Sequence, residues 1–181
     1  MTRLFFAIWP PAATAQALQR WADGVQRETG GRTVSAAAIH LTLAFLGETP
    51  PERTAAAIGA ARRVRAAPHR LPLEAARHWE HNRIVWAGPR ETPAALEALA
   101  QALAAELARK GFALERRHFA AHVTLLRKAR APHLLPPLPA LEWPVEEFSL
   151  VRSMLDAAGS RYAIVERFPL SAQGGANSIC P

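Results

Sequence analysis

Cysteine is almost absent from this chain of 181 residues. Cys180 is the only one, and it lies one residue from the end of the sequence. A single cysteine cannot form a disulfide within the chain, and a zinc site built on cysteines needs several. A chain of this length can bury well over half of its unfolded surface, so its core needs neither a disulfide nor a zinc site for stability. This cysteine content favours a reducing compartment.

Long apolar runs are also missing. Residues 4–9 are apolar, and Pro10-Pro11 follows them directly. That run is too short for the apolar part of a signal peptide, and no stretch approaches the roughly 20 residues that span a bilayer. We therefore expect a cytoplasmic protein that does not enter membranes, and we expect a monomer.

Lysine is scarce as well. Lys110 and Lys128 are the only lysines among 22 basic residues, and the formal net charge is +7. Two interpretations remain open. The excess of arginine can reflect an alanine- and arginine-rich composition, or it can serve a polyanionic partner, because guanidinium groups bind phosphate with paired hydrogen bonds.

Apolar periodicity predicts alternating strands and helices, interrupted by hairpins. Strands are predicted at residues 4–9, 39–46, 71–79, 83–87, 119–126, 145–154 and 161–167. Helices are predicted between Pro11 and Gly30, from an N-cap at Thr49 to about residue 66, and from an N-cap at Thr92 to Gly111. The five prolines of residues 131–144 indicate a surface loop. This pattern favours one α+β domain over residues 1–170, followed by a flexible tail at residues 171–181.

One four-residue pattern occurs twice. His40-Leu-Thr42-Leu returns 82 residues later as His122-Val-Thr124-Leu, each time on a predicted strand. Side chains alternate in direction along a strand, so each histidine shares a face with its threonine while the apolar neighbours point into the core. A single His-x-Thr usually marks a surface or core histidine. Two copies nearly half a chain apart indicate two lobes related by a pseudo-two-fold axis.

A cleft with two imidazoles and two hydroxyls suits the chemistry of a phosphodiester. Cleavage needs a base on the attacking oxygen and an acid on the leaving oxygen, and histidine can supply both forms near neutral pH. Thr42 and Thr124 can donate hydrogen bonds to the non-bridging oxygens, and Arg127 can offset their charge. Arg127 follows Thr124 by three residues, so simple alternation places it on the opposite face unless the strand ends or bulges.

Other interpretations of the histidines and aromatic residues are weaker. His78 with His81, and His118 with His122, have spacings seen in zinc sites, but neither pair has an evident third ligand. No metal or cofactor is therefore expected. Several aromatic residues could stack a nucleobase or simply fill the core, and the sequence does not separate the two roles. They are Phe5, Trp9, Phe45, Trp79, Trp86 and Phe119.

The doubled motif resembles that of a known family. His40-Leu-Thr-Leu-Ala-Phe-Leu-Gly47 and His122-Val-Thr-Leu-Leu-Arg127 are similar to the paired His-x-Thr motifs of the two-histidine (2H) phosphoesterases, and closest to the RNA 2′,3′-cyclic phosphodiesterases, also called 2′-5′ RNA ligases. Residues 3–8, 148–153 and 162–170 also fit that group. The resemblance implies a bilobal α+β fold with antiparallel sheets flanking a central cleft and helices on the outside.

The resemblance also implies roles for the site residues. The family opens a 2′,3′-cyclic phosphate to a 2′-phosphomonoester without a metal, acting on RNA ends or cyclic nucleotides. Carried over, His40 donates a proton to the leaving oxygen and His122 accepts one from water. Thr42, Thr124 and Arg127 would bind the phosphate. Reversal of the reaction would give a 2′-5′ RNA ligase.

Two alternatives belong beside that interpretation. Another 2H phosphoesterase could act on a small cyclic phosphate such as an ADP-ribose derivative, or trim RNA ends. A non-catalytic protein could bind RNA ends through the same histidines. The two intact motifs favour an enzyme, and a hydrolysis assay separates the three cases.

Overall fold

The computed structural model describes residues 2–114, 119–156 and 159–171. The α-helices in this part are α1 (Ala12–Thr29), α2 (Pro51–Ala61) and α3 (Ala94–Arg109). The strands are β1 (Thr2–Ile8), β2 (Arg32–Thr33), β3 (Leu41–Thr49), β4 (His69–Arg70), β5 (Ala75–Trp79), β6 (Ile84–Gly88), β7 (Val123–Arg127), β8 (Pro144–Val145), β9 (Glu147–Asp156) and β10 (Gly159–Pro169). The loop predicted at residues 131–144 has no strand before residue 144.

The strands form one large antiparallel sheet and one small one. The large sheet has the order β10-β9-β1-β3-β7-β6-β5, with β2 added to β7, and β4 pairs with β8. Every strand pair within the described residues is antiparallel. The predicted α+β class is therefore confirmed.

The large sheet consists of two similar halves that meet between β3 and β7. β1 begins at residue 2 and β6 at residue 84, while α1 begins at residue 12 and α3 at residue 94. Both offsets equal the 82 residues that separate His40 from His122. In the described chain, β3 and β7 share one pair in register, Leu41 with Val123. The cleft opens at this narrow junction.

The helices cover the core face of the sheet. Leu4, Phe6 and Ile8 alternate along β1 and are at most 1% exposed, and they share one large cluster with the apolar faces of α1 and α3. The predicted leucine stripe on α3 lies fully in this cluster: Leu96, Leu99, Leu103 and Leu107. Intervening β1 residues form a smaller cluster on the other face of the sheet, where Phe5 and Ala7 pack with Val151.

The predicted helix caps need correction. α2 begins after Pro50 without a side-chain cap, because Thr49 is still the last residue of β3 and its hydroxyl donates to the Gly47 carbonyl over 3.2 Å. The same helix ends at Ala61, earlier than expected. α3 follows Pro93 in the cap position rather than Thr92.

Both motif strands begin one residue after their histidine instead of before it. A turn of 3-10 helix at Ala36–Ala38 precedes β3, and the Ile39 amide donates back to the Ser35 carbonyl over 3.1 Å. The backbone of Ile39 is therefore committed to the turn. This placement puts His40 at the strand entrance and keeps it on the face that Thr42 occupies.

Candidate active site

The residues that sequence reasoning selected come together in one place. His40, Thr42, His122, Thr124 and Arg127 all line a single cleft of about 1090 Å³ between the two halves of the sheet. The pairing of β3 with β7 explains the convergence. Antiparallel pairing of Leu41 with Val123 places each histidine next to the threonine of the other motif, because the neighbours of a pair face the opposite side of the sheet.

Burial along the two motif strands follows the predicted alternation. Leu41 and Val123 are fully buried in the core, whereas Thr42 and Thr124 are half-buried at the cleft. Each strand therefore anchors itself with apolar side chains on one face and presents polar groups on the other. The shared face predicted for His40 with Thr42, and for His122 with Thr124, agrees with this pattern.

Arg127 reaches the cleft because β7 contains a bulge. Thr124 and Leu126 pair with consecutive residues of β6, so Leu125 is the extra residue of the strand. Leu125 and Leu126 are consequently both buried, and Arg127 returns to the exposed face. The sequence did not show whether the strand bulges before Arg127. Because it does, Arg127 lines the cleft.

A backbone carbonyl orients each catalytic candidate. The Nδ1 atom of His40 lies 2.7 Å from the carbonyl oxygen of Ala38, and Nδ1 of His122 lies 2.8 Å from that of Ala120. In the neutral ring, an Nδ1–H that donates to this carbonyl leaves Nε2 as the nitrogen that exchanges protons. The sequence carried no sign of this contact, since the acceptor is main chain and the residue that provides it is alanine.

The two histidines differ in their aromatic surroundings. His40 stacks on Trp9 with ring centroids 5.0 Å apart and planes inclined by 23°. Tyr162 meets the same ring edge-on at 5.1 Å, and Phe5 lies at 5.1 Å. Tyr162 was missed in the sequence because it comes from β10, far along the chain, and lies on no motif strand.

His122 has a more open neighbourhood. Trp79 lies 4.8 Å from its ring centroid, and Trp86 lies 6.3 Å away in a T-shaped arrangement. His81 is exposed beside Trp79 and also lines the cleft. Of the six aromatic candidates, three line the cleft and are placed to meet a ligand: Phe45, Trp79 and Phe119.

Burial lowers the pKa of His40 from 6.5 to about 4. Removal from water is the largest cause, since it disfavours the charged ring. The Ala38 carbonyl opposes the shift, whereas electrostatic repulsion from Arg127 and His122 adds to it. His40 is therefore neutral at pH 7 in the ligand-free protein.

This shift makes the stability of the fold depend on pH. Between pH 4 and 6.5 the unfolded chain holds a proton on His40 that the folded chain does not, so the free energy of unfolding rises with pH through this window. We expect the protonation of His40 to lower the free energy of unfolding by on the order of 3 kcal/mol between pH 7 and pH 4. Urea unfolding at pH 7, 5.5 and 4 measures this loss.

Carboxylates also titrate near pH 4, so a matched pair of variants isolates the contribution of His40. His40→Gln should show a shallower pH dependence than the wild type. His133→Gln, at an exposed loop position, should keep the wild-type slope. Equal slopes in all three proteins would mean that the fold does not hold His40 in its neutral form.

Of the other two histidine pairs, only His78 with His81 lies wholly within the described residues. His78 lies on β5, where its Nε2 is 3.3 Å from the Ala129 carbonyl oxygen, and His81 lies beyond the end of that strand. His118 falls outside the described residues. Within residues 2–114, 119–156 and 159–171, no group of three or more potential ligands lies together, and no helix there is long and apolar enough to cross a membrane.

The fold brings two symmetry-related His-x-Thr strands to one cleft, as the doubled motif predicted. The sequence model described as LigT like Phosphoesterase matches the chain twice, over residues 8–86 and 87–162, so each match contains one motif. The protein belongs to the LigT-like phosphoesterase family. The resemblance inferred from the doubled motif is confirmed.

Two relatives are similar to this chain over nearly their whole length. The RNA 2′,3′-cyclic phosphodiesterase of Escherichia coli K12 is 38% identical over 93% of this chain and 97% of its own. That of Thermus thermophilus is 35% identical over 96% of this chain and 92% of its own. The crystal structure of E. coli LigT complexed with 3′-AMP is 37% identical, covers 94% of this chain and 99% of its own, and has a TM-score of 0.88.

Proposed function

We propose that the protein is an RNA 2′,3′-cyclic phosphodiesterase that opens the cyclic phosphate to a 2′-phosphomonoester. The observation that carries this proposal is the pair of histidines in one cleft, each with Nδ1 against a backbone carbonyl. Relatives named for this activity support it. So does the crystallisation of E. coli LigT with 3′-AMP and with phosphate.

In the proposed reaction, His122 Nε2 takes a proton from a water molecule as its oxygen attacks phosphorus. The bond from phosphorus to the 3′ oxygen breaks, and His40, which must take up a proton on Nε2 when the anionic substrate binds, gives that proton to the leaving oxygen. The products are a 3′-hydroxyl and a 2′-phosphate. Nε2 is the reacting nitrogen because Nδ1 of each ring is directed at a carbonyl.

The remaining site residues would stabilise the charge on the phosphate. Thr42 and Thr124 donate from opposite sides of the pseudo-two-fold axis to the non-bridging oxygens, and Arg127 offsets the negative charge that grows on them. Donors that are already oriented need no rearrangement when that charge develops. This is why the bulge that directs Arg127 to the cleft face matters for the reaction.

A hydrolysis assay with product identification tests the proposal. Purified protein is incubated with adenosine 2′,3′-cyclic phosphate and with RNA that ends in a cyclic phosphate, with and without excess EDTA. We expect the 2′-phosphate from both substrates, with EDTA leaving each rate unchanged. Release of a 3′-phosphate, or loss of the reaction in EDTA, would contradict the mechanism. Binding of the RNA end without hydrolysis across a broad pH range would indicate an end-binding protein.

An ADP-ribose cyclic phosphate belongs in the same assay. Faster turnover of that compound than of either RNA-type substrate would favour the other branch of the superfamily. Reversal of the reaction with a 5′-hydroxyl acceptor would reveal 2′-5′ ligation. A monomeric state and a cytoplasmic location remain predictions. So does the flexible tail at residues 171–181, of which residues 172–181 lie outside the part of the chain that the structure describes.

A further inference from the structure

Arg32 lines the cleft, yet it has no part in the proposed reaction. We propose that Arg32 binds the 5′-phosphate of the terminal nucleotide, the group that joins this nucleotide to the rest of an RNA chain. The protein would therefore prefer RNA ends to cyclic nucleosides that lack this phosphate. The inference rests on the proposed function, because the cyclic phosphate at the histidines fixes the register of the nucleotide.

Arg32 lies beside Arg127. It is the first residue of β2, and the two arginines are directly paired across the antiparallel strands β2 and β7. Directly paired residues project their side chains to the same face of a sheet, with Cβ atoms about 5 Å apart. Because the bulge in β7 directs Arg127 to the cleft face, Arg32 shares that face.

This arrangement places two like charges together. Like charges directly opposite on neighbouring strands destabilise a sheet. Both arginines are exposed, and neither forms an ion pair with a carboxylate in the part of the chain that the structure describes. An anion between or beside them removes the repulsion. A pair of guanidinium groups in a cleft therefore suits a ligand with more than one phosphate.

The turn before β2 holds Arg32 close to β7. Gly30 and Gly31 have φ angles of 64° and 80°, a region that favours glycine. A Cβ on Gly31 would lie 2.6 Å from the Arg127 carbonyl oxygen and 2.9 Å from the Ala129 nitrogen. The chain can thus approach the end of β7 this closely because residue 31 has no side chain. Arg32 is consequently fixed beside Arg127 by the backbone.

Among the described residues, two arginines line the cleft, and an RNA end likewise presents two phosphates. Arg127 is on the same strand as Thr124 and is assigned to the reacting phosphate, which leaves Arg32 for the next one. In an RNA chain that next phosphate is attached at the 5′ oxygen of the same nucleotide. A cyclic nucleoside phosphate without a 5′-phosphate presents nothing to Arg32.

The test compares two small substrates that differ in this one group. They are adenosine 2′,3′-cyclic phosphate and the same compound with a 5′-phosphate. We expect Arg32→Ala to lower kcat/KM for the 5′-phosphorylated substrate by roughly tenfold or more, the scale of a lost charge-assisted hydrogen bond. The loss should lie in KM. For the substrate without a 5′-phosphate, kcat/KM of Arg32→Ala should stay within about twofold of the wild-type value. Arg32→Lys should recover part of the loss on the 5′-phosphorylated substrate.

Arg20→Ala is the matched control, because Arg20 is an exposed arginine on α1 that does not line the cleft. It should behave as the wild type on both substrates, and a thermal unfolding curve checks that each variant is folded. An equal loss on both substrates would place Arg32 on the reacting phosphate and overturn the inference. So would unchanged kinetics on both.

If the proposed function is wrong, the kinetic result is different from all of these. In that case the wild type opens neither cyclic phosphate. The inference is then judged by calorimetry with adenosine 2′,5′-bisphosphate and adenosine 2′-phosphate. Arg32→Ala should weaken binding of the first compound by roughly tenfold and leave the second unchanged. Equal affinities in the wild type and the variant would overturn the inference.

Discussion

His40→Ala and His122→Ala should each lower kcat on a 2′,3′-cyclic nucleotide by about 10²–10⁴, the usual contribution of a general acid or base. Each substitution removes a ring whose Nδ1 lies against a backbone carbonyl and whose Nε2 transfers the proton in the proposed reaction. Initial rates at saturating substrate measure the effect, with product identified by chromatography.

The control for this prediction is another histidine of the same chain. His133→Ala, at an exposed loop position, should keep the wild-type rate, and Thr124→Ala should lose less than either histidine variant since it removes one hydrogen bond. The double variant of His40 and His122 should be about as slow as the slower single variant, because groups that act as a unit are not additive. Near-normal turnover in either single variant would exclude that histidine as a catalytic group.

Much of the site could be predicted because the decisive information is local and repeated. Apolar residues at alternate positions around Thr42 and Thr124 fix which way these side chains point, and the second copy indicates where they meet. The apolar stripe of α3 could also be predicted from the sequence, because its four leucines recur at helical spacing. These patterns depend on neighbours within a few residues, so the tertiary fold did not alter them.

The errors lie where two local preferences compete. The Thr49-Pro50-Pro51-Glu52 segment resembles a capping box, but a strand can also end at a threonine, and pairing with β1 extends β3 to that residue. The start of β3 was shifted for a similar reason, because the short turn at Ala36–Ala38 takes the amide of Ile39. In both cases hydrogen bonds within the folded protein decided between options that the sequence allowed.

Other features depend on contacts between distant parts of the chain. The bulge that returns Arg127 to the cleft exists only relative to the register of β6. Arg32 approaches from the end of α1, and Tyr162 from β10. Neither Arg32 nor Tyr162 belongs to the motif, and a single sequence shows no pattern that connects them to it.

The aromatic neighbours break the symmetry of the two motifs. His40 contacts the rings of Trp9, Tyr162 and Phe5, whereas His122 contacts Trp79 and, at a longer distance, Trp86. Similar local sequences therefore give histidines with different ring neighbours. Because the aromatic neighbours of His40 and His122 differ, an experiment can distinguish the proton donor from the proton acceptor.

The pKa of His40 should rise when an anion binds in the cleft. In the free protein it is about 4, since burial and electrostatic repulsion from Arg127 and His122 disfavour the charged ring. A proton donor must hold its proton when the leaving oxygen departs. Negative charge beside the ring favours the imidazolium and offsets Arg127, and an opposite charge at this range shifts a pKa by about 1–3 units.

A titration followed by NMR measures this rise. The Cε1 proton of His40, assigned by its absence in His40→Gln, is followed from roughly pH 3 to pH 8 with and without sulfate, whose charge is constant over that range. Arg127→Ala should by itself raise the pKa in the free protein and reduce the further effect of sulfate. A value that stays near 4 with sulfate bound, while sulfate binds the wild type tightly, would leave His40 neutral in the complex. The donor would then be His122 and the base His40, the reverse of the proposed order.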